Sequence, residues 1–191
     1  MLMVTLLVAS TTFTVTAQNA ETKDRVQRKA QRDAERARLK AQEEANDEIS
    51  YEEAVQAIRN RQFVLEADQV MFRGGETAYV TSSTNFVLVN QSRGTVQVAF
   101  NTPYPGPNGI GGVTVDGQVS DLQTTTDKRG NINIQFSIQG IGISAQIFIN
   151  LYKGSNQTNV TVSPNFNGNT LTLSGKLIPL NQSAIFKGRS W

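Results

Sequence analysis

The sequence predicts a mainly β protein: a small antiparallel meander closed into a barrel, preceded by a charged N-terminal α-helix and a short capping helix. Three observations predict it. Of 34 charged residues, 20 fall in residues 21–62, so the chain divides into a charged first part and a sparsely charged remainder. From Phe63 onward apolar residues recur at every second position, the period of a half-buried strand. Short clusters rich in Gly, Asn and Asp separate these runs, as hairpin turns require.

The first residues, MLMVTLLVASTTFTVTAQNA, form an apolar run that ends in small residues. Val15 and Ala17 occupy the −3 and −1 places of a signal-peptidase site, so residues 1–17 are expected to be a cleaved signal peptide and Gln18 the new start. The run carries several Thr, lacks Lys or Arg, and is shorter than the roughly 20 apolar residues of a membrane-spanning helix. The chain has no Cys, so no thiol is present to carry a lipid at the cleavage site. The expectation is a periplasmic or extracellular protein that is not a lipoprotein.

Residues 18–48 are expected to be a charged helical stalk. From residue 21 they hold no Gly or Pro and many Ala, Gln, Glu, Lys and Arg, which favour helix. Opposite charges are spaced four apart at Glu21 and Arg25, Asp24 and Arg28, and Lys40 and Glu44. Lys23 to Lys40 contains eight basic and three acidic residues, whereas Glu43 to Glu53 contains six acidic and no basic ones. Val26, Ala30, Ala34, Ala37, Ala41 and Ala45 trace a thin 11-residue seam, suited to weak coiled-coil self-association. Ser50 and Glu53 match a capping box, so a separate short helix is expected over 51–61, with Ala54, Val55, Ala57 and Ile58 on its apolar side.

The β domain is expected to span 49–191. Phe63, Leu65 and Ala67 open the alternation, followed by Val96, Val98 and Phe100, then Val113 and Val115. Ile132, Ile134, Phe136 and Ile138 continue it, then Ile143, Ala145, Ile147, Ile149 and Leu151, then Val160 and Val162, and finally Leu171 and Leu173. Thr, Asn, Gln and Ser fill the alternate positions of most runs. Turns are expected at 73–75, 92–94, 127–130, 140–142, 154–156 and 167–168. Eight to nine short strands in a meander leave two edges, and closure into a barrel removes them; a two-sheet sandwich is the alternative.

The composition removes several chemistries. With neither Cys nor His, the chain has no thiol nucleophile, disulfide, histidine base or Ser–His–Asp triad. The net charge is +2 and basic residues in the sheet are scattered, so no nucleic-acid partner is expected. No cofactor, metal or catalytic residue is expected. Gly109-Ile-Gly111-Gly112 lacks the spacing of a phosphate loop and precedes a strand. Ser174 and Lys176 share the polar side of one strand. The domain's carboxylates, Glu66, Asp68, Glu76, Asp116, Asp121 and Asp127, show no metal-loop spacing.

One segment stands apart. Residues 101–112 hold three of the five prolines and four of the fifteen glycines. Such a loop is stiff at the prolines and permissive at the glycines. Tyr104, Asn108 and Gly109 are its candidate binding residues at the barrel mouth; the alternative is a tight crossover with no binding role.

Four segments, FVLEADQV (63–70), STNFVLVNQ (83–91), PNGIGGVTVDGQVSD (107–121) and LTLSGKLIPLNQSAIFKG (171–188), resemble the DUF4251 family of exported Bacteroidetes proteins. The Asn85-Phe86 pair, the Gly-Gly-Val-Thr-Val run at 111–115 and the Gly175…Pro179…Phe186 ending carry the likeness. The resemblance, over residues 50–191, implies a lipocalin-like barrel in the cell envelope and implies no activity. The expected function is therefore a non-enzymatic binding module for a small apolar or amphipathic ligand or an envelope protein. The alternatives are a structural protein with a self-filled barrel and, last, a carboxylate-dependent hydrolase.

Overall fold

The computed structural model describes residues 11–100, 107–141, 143–165 and 170–189, with side chains from residue 24 onward. Among the described residues one helix, α1, runs Thr11–Arg59, and nine strands follow: β1 Gln62–Phe72, β2 Thr77–Tyr79, β3 Phe86–Asn90, β4 Arg93–Ala99, β5 Gly112–Thr126, β6 Ile132–Gln139, β7 Ser144–Leu151, β8 Gln157–Pro164 and β9 Leu171–Pro179. A single 3₁₀ turn, Leu180–Gln182, precedes the C-terminal segment. Compact units form over residues 1–45 and 46–191.

In the first unit every described side chain from 24 to 45 is exposed, including Val26 and the alanine seam. Ion pairs stand where the spacing places them: Arg28 meets Asp24 at 2.7 Å and Lys40 meets Glu44 at 3.6 Å. The expected pair of Glu21 and Arg25 lies partly outside the described side chains; of residues 1–17, expected to be a signal peptide, only 11–17 are described, as helix backbone.

The two helices predicted from the sequence are one. Ser50 and Glu53 lie inside α1, so the capping box starts nothing. The physical reason is that residues 21–59 contain no Gly or Pro to stop the first helix. The amides that a cap would satisfy are bonded within the helix already. The expected apolar side is nevertheless used: Ala54, Ala57 and Ile58 are buried in the barrel core, and the Tyr51 hydroxyl donates to the Gly130 carbonyl at 3.4 Å. Arg61, at φ 54°, ends the helical path, and its carbonyl accepts from the Gln91 amide at 2.7 Å.

The strands pair antiparallel in the order β2-β1-β3-β4-β5-β6-β7-β8-β9, and β1 also pairs with β9. Strands β1 and β3–β9 thus close an eight-stranded barrel. The hairpin strand β2 extends it, pairing Gln69–Met71 of β1 with Thr77–Tyr79. Two register shifts shape the wall. Opposite Gly175 and Ser174, β1 carries one extra residue between Ala67 and Gln69, so Phe63, Leu65 and Ala67 face inward, and then Val70 and Phe72. A bulge at Asp121–Leu122, with Asp121 at φ 55°, does the same for β5. At the first bulge the backbones approach so closely that a Cβ on Gly175 would lie 2.0 Å from the Glu66 carbonyl oxygen.

The filled part of the interior holds Phe63, Leu65, Ile134, Phe136, Ile147, Ile149 and Leu173, all 2% exposed or less. The last turns of α1 lie at the end where β1 begins and the 127–130 turn sits.

Outside the barrel, the segment after Pro179 straps across β1, β3, β4 and β5. Ser183 Oγ donates to Glu66 Oε1 at 2.6 Å, the Phe186 amide to the Ser83 carbonyl at 2.8 Å, and the Arg189 amide to the Asn108 carbonyl at 3.1 Å. This strap explains why β3 and β4 are buried on both faces, Phe86, Thr95 and Gln97 outward as well as Val87, Val96 and Val98 inward. Gln97 is its anchor and is 0% exposed. Its amide nitrogen donates to the carbonyls of Thr84 (3.0 Å) and Phe186 (2.7 Å), and its oxygen accepts from Thr114 Oγ1 (2.9 Å) and the Gly188 amide (2.7 Å).

Candidate functional site

The barrel end away from α1 is not filled. A cavity of about 450 Å³ opens there. Inward-facing positions of β4, β5, β7 and β8 supply Val96, Val98, Val113, Val115, Ala145 and Val162, and the strand ends add Phe72, Phe100, Pro164 and Leu171. The rings of Phe72 and Phe100 lie 5.4 Å apart at 35°. An eight-stranded barrel is wide enough to be filled by its own side chains or to hold one small ligand; this one does the first at one end and leaves room at the other. The lining's polar side chains are few: Thr170, whose hydroxyl lies 3.4 Å from that of Ser163, and Arg73 at the rim.

The wall holds no acid or base pair, since no carboxylate is among the described lining residues. The carboxylates lie elsewhere. Glu66 takes the Ser183 hydroxyl on the outer face. Asp127 caps its own turn, accepting from the amides of Arg129 and Asn131. Asp116 sits on the outer face of β5, with Lys187 at 2.9 Å, Arg93 at 3.1 Å and the Thr95 hydroxyl at 2.8 Å. Partial burial pushes the Asp116 pKa up, but the hydrogen bonds from Lys187 and Thr95 and the charges of Lys187 and Arg93 outweigh it and hold it below 3.8. No group of three Asp or Glu among the described residues is placed to hold a metal ion.

Of the loop residues singled out from the sequence, Tyr104 lies outside the described residues. Asn108 is buried, and its side chain fastens the loop to β4 and β5: Oδ1 accepts from the amides of Ile110 and Gly112 at 3.0 and 2.9 Å, and Nδ2 donates to the Val98 carbonyl and Thr114 Oγ1, both at 3.4 Å. Gly109 is exposed at φ 79° and makes the turn. Neither lines the cavity. Among the lining residues, Phe72 and Arg73 are not placed on the inner face by the alternation: they follow the β1 bulge, where a period-two reading loses its phase. A smaller concavity of about 230 Å³ lies on the outer face of β5–β8, around Phe148 and several amide side chains. Among the described residues no helix is long and apolar enough to cross a membrane.

A closed barrel with one plugged end and one open apolar end defines the class. The sequence profile of the Domain of unknown function (DUF4251) matches residues 43–177, and the chain belongs to that family. The match starts inside α1, earlier than the residue 50 expected from the sequence, and ends within β9. A crystal structure of a DUF4251 family protein from Bacteroides eggerthii is 74% identical in sequence, covering 78% of this chain and 99% of that one, with a TM-score of 0.66. No curated protein matches the chain.

Proposed function

We propose that the protein is a non-enzymatic binding module of the cell envelope that takes a small apolar or amphipathic ligand into the open end of its barrel. The observation that carries this reading is the cavity of about 450 Å³ walled by valine, phenylalanine and leucine. Its volume falls in the range of small-molecule sites, roughly 300–1,000 Å³. Apolar wall left in contact with water is a standing source of binding free energy. A ligand burying about eight methylenes gains about 6 kcal/mol at roughly 0.8 kcal/mol each, enough for dissociation constants of tens of micromolar.

Export is supported by the apolar run of residues 1–17 with its small residues at 15 and 17. A protein without cysteine is indifferent to an oxidising compartment. The second reading, a structural role, draws on the side chains that fill the half of the interior nearer α1. Mass spectrometry of organic compounds extracted from the protein purified from its native envelope decides between them. A stoichiometric apolar compound supports binding. Protein free of any such compound, unable to take up a neutral apolar dye, leaves the structural reading.

A further inference from the structure

We propose that the ligand is a monoanionic amphiphile, seated with its hydrocarbon body in the cavity and its carboxylate at the rim against Arg73. This rests on the binding reading above and adds the charge and orientation of the occupant.

Arg73 is the sole ionisable side chain among the described lining residues. Its backbone is held by a short turn. The Phe72 amide donates to the Glu76 carbonyl at 2.8 Å, the Gly75 amide donates to the Phe72 carbonyl at 2.9 Å, and Gly75 adopts φ 87°. Arg73 therefore follows directly on Phe72, whose ring is part of the cavity wall. Arg73 makes no ion pair among the described residues, whereas Arg93 and Lys187 are both committed to Asp116.

The surroundings sharpen the selection. Among the described residues that connect the strands at this end, Arg73 and Glu76 are charged, and Arg189 of the strap lies behind the 107–111 turn, where its amide meets the Asn108 carbonyl, and is not part of the lining. Glu76 is not part of the lining. Among the described lining residues Arg73 is thus the one charge, over an apolar bowl. A cationic head is repelled there, and a neutral hydroxyl head gains at most a single hydrogen bond from the guanidinium. A carboxylate meets a planar fork of donors that binds it bidentately. Because Arg73 is exposed, the head group stays hydrated and no charge has to be buried to form the pair.

The test uses the full chain and displacement of the neutral dye N-phenyl-1-naphthylamine by dodecanoate, dodecanol and dodecyltrimethylammonium, each below its micelle-forming concentration. Dodecanoate is expected to bind most tightly and the ammonium compound least. Arg73→Gln is expected to weaken dodecanoate about three- to tenfold and to change dodecanol by less than about twofold, as for a solvent-exposed, charge-assisted pair. Arg73→Lys is expected to restore part of the loss, and high salt to shrink the preference for dodecanoate. Unchanged dodecanoate affinity in Arg73→Gln, or an equal loss for dodecanol, overturns the carboxylate assignment while the cavity reading stands. Failure of the dye and all three amphiphiles to bind overturns both.

Discussion

The C-terminal strap makes a claim about stability that can be worked from four hydrogen bonds. Gln97→Leu keeps the side chain's approximate size and removes two donated and two accepted bonds, two of which end on the strap at Phe186 and Gly188. At about 1 kcal/mol each, with the partners left in a buried site, the loss is about 4 kcal/mol. For a chain of this length that lowers the melting temperature by about 8–16 °C. Truncation after Gln182 removes the strap itself. In that background two of the four bonds are already absent, so Gln97→Leu should cost about 2 kcal/mol, a coupling of about 2 kcal/mol between the two changes. The assay is chemical denaturation of the four proteins of the cycle, followed by circular dichroism. Equal costs of Gln97→Leu in both backgrounds would refute the strap as a fastening of β4, the strand that carries Val96 and Val98 into the cavity wall.

Other expectations follow from single contacts. Gly175→Ala places a Cβ 2.0 Å from the Glu66 carbonyl, so the β1–β9 seam has to part; a loss above about 3 kcal/mol in denaturant titration is expected, and a neutral effect would contradict the bulge geometry. Asp116 has a folded-state pKa below its unfolded value of 3.8, so its pairs stabilise the barrel fully above that value and are lost as the pH falls through the folded pKa. Asp116→Asn is therefore expected to flatten the acid limb of the stability–pH profile below about pH 4, and an unaltered limb would contradict the assignment. Deleting residues 18–45, where every described side chain is exposed, is expected to leave the barrel's melting temperature nearly unchanged, which scanning calorimetry checks.

Much of the fold was legible because the barrel's inner face is apolar and its outer face mostly polar. Ile132 to Ile138 and Ala145 to Leu151 alternate without interruption, and both strands appear where the alternation puts them. The breaks are local and physical. Asp68 and Asp121 each sit in a bulge that resets the inward phase, and a period-two reading carries no mark of an inserted residue. Thr95 and Gln97 read as a solvent-facing side, yet both are buried, because a segment nearly ninety residues later in the chain covers them. Ser50 and Glu53 have the spacing of a cap but no helix break before them. Val96, Val98, Val113, Val115, Ala145, Val162 and Leu171 of the cavity wall lie on the face that the alternation marks as apolar, whereas the rim was not legible. Arg73 registered only as part of a turn, and Asn108, chosen for its place in a proline- and glycine-rich loop, spends its amide holding that loop to β4 and β5.

The central claim is that the barrel end away from α1 is open, apolar and able to hold a ligand. Titration of the full chain with N-phenyl-1-naphthylamine, alongside Val113→Trp, tests it most directly, because Val113 is a partly exposed wall residue that an indole would extend across the cavity. Saturable uptake of one dye per chain by the unaltered protein, lost in Val113→Trp at an unchanged melting temperature, is the predicted result. Absence of saturable uptake by the unaltered protein, or identical uptake by Val113→Trp, would contradict it.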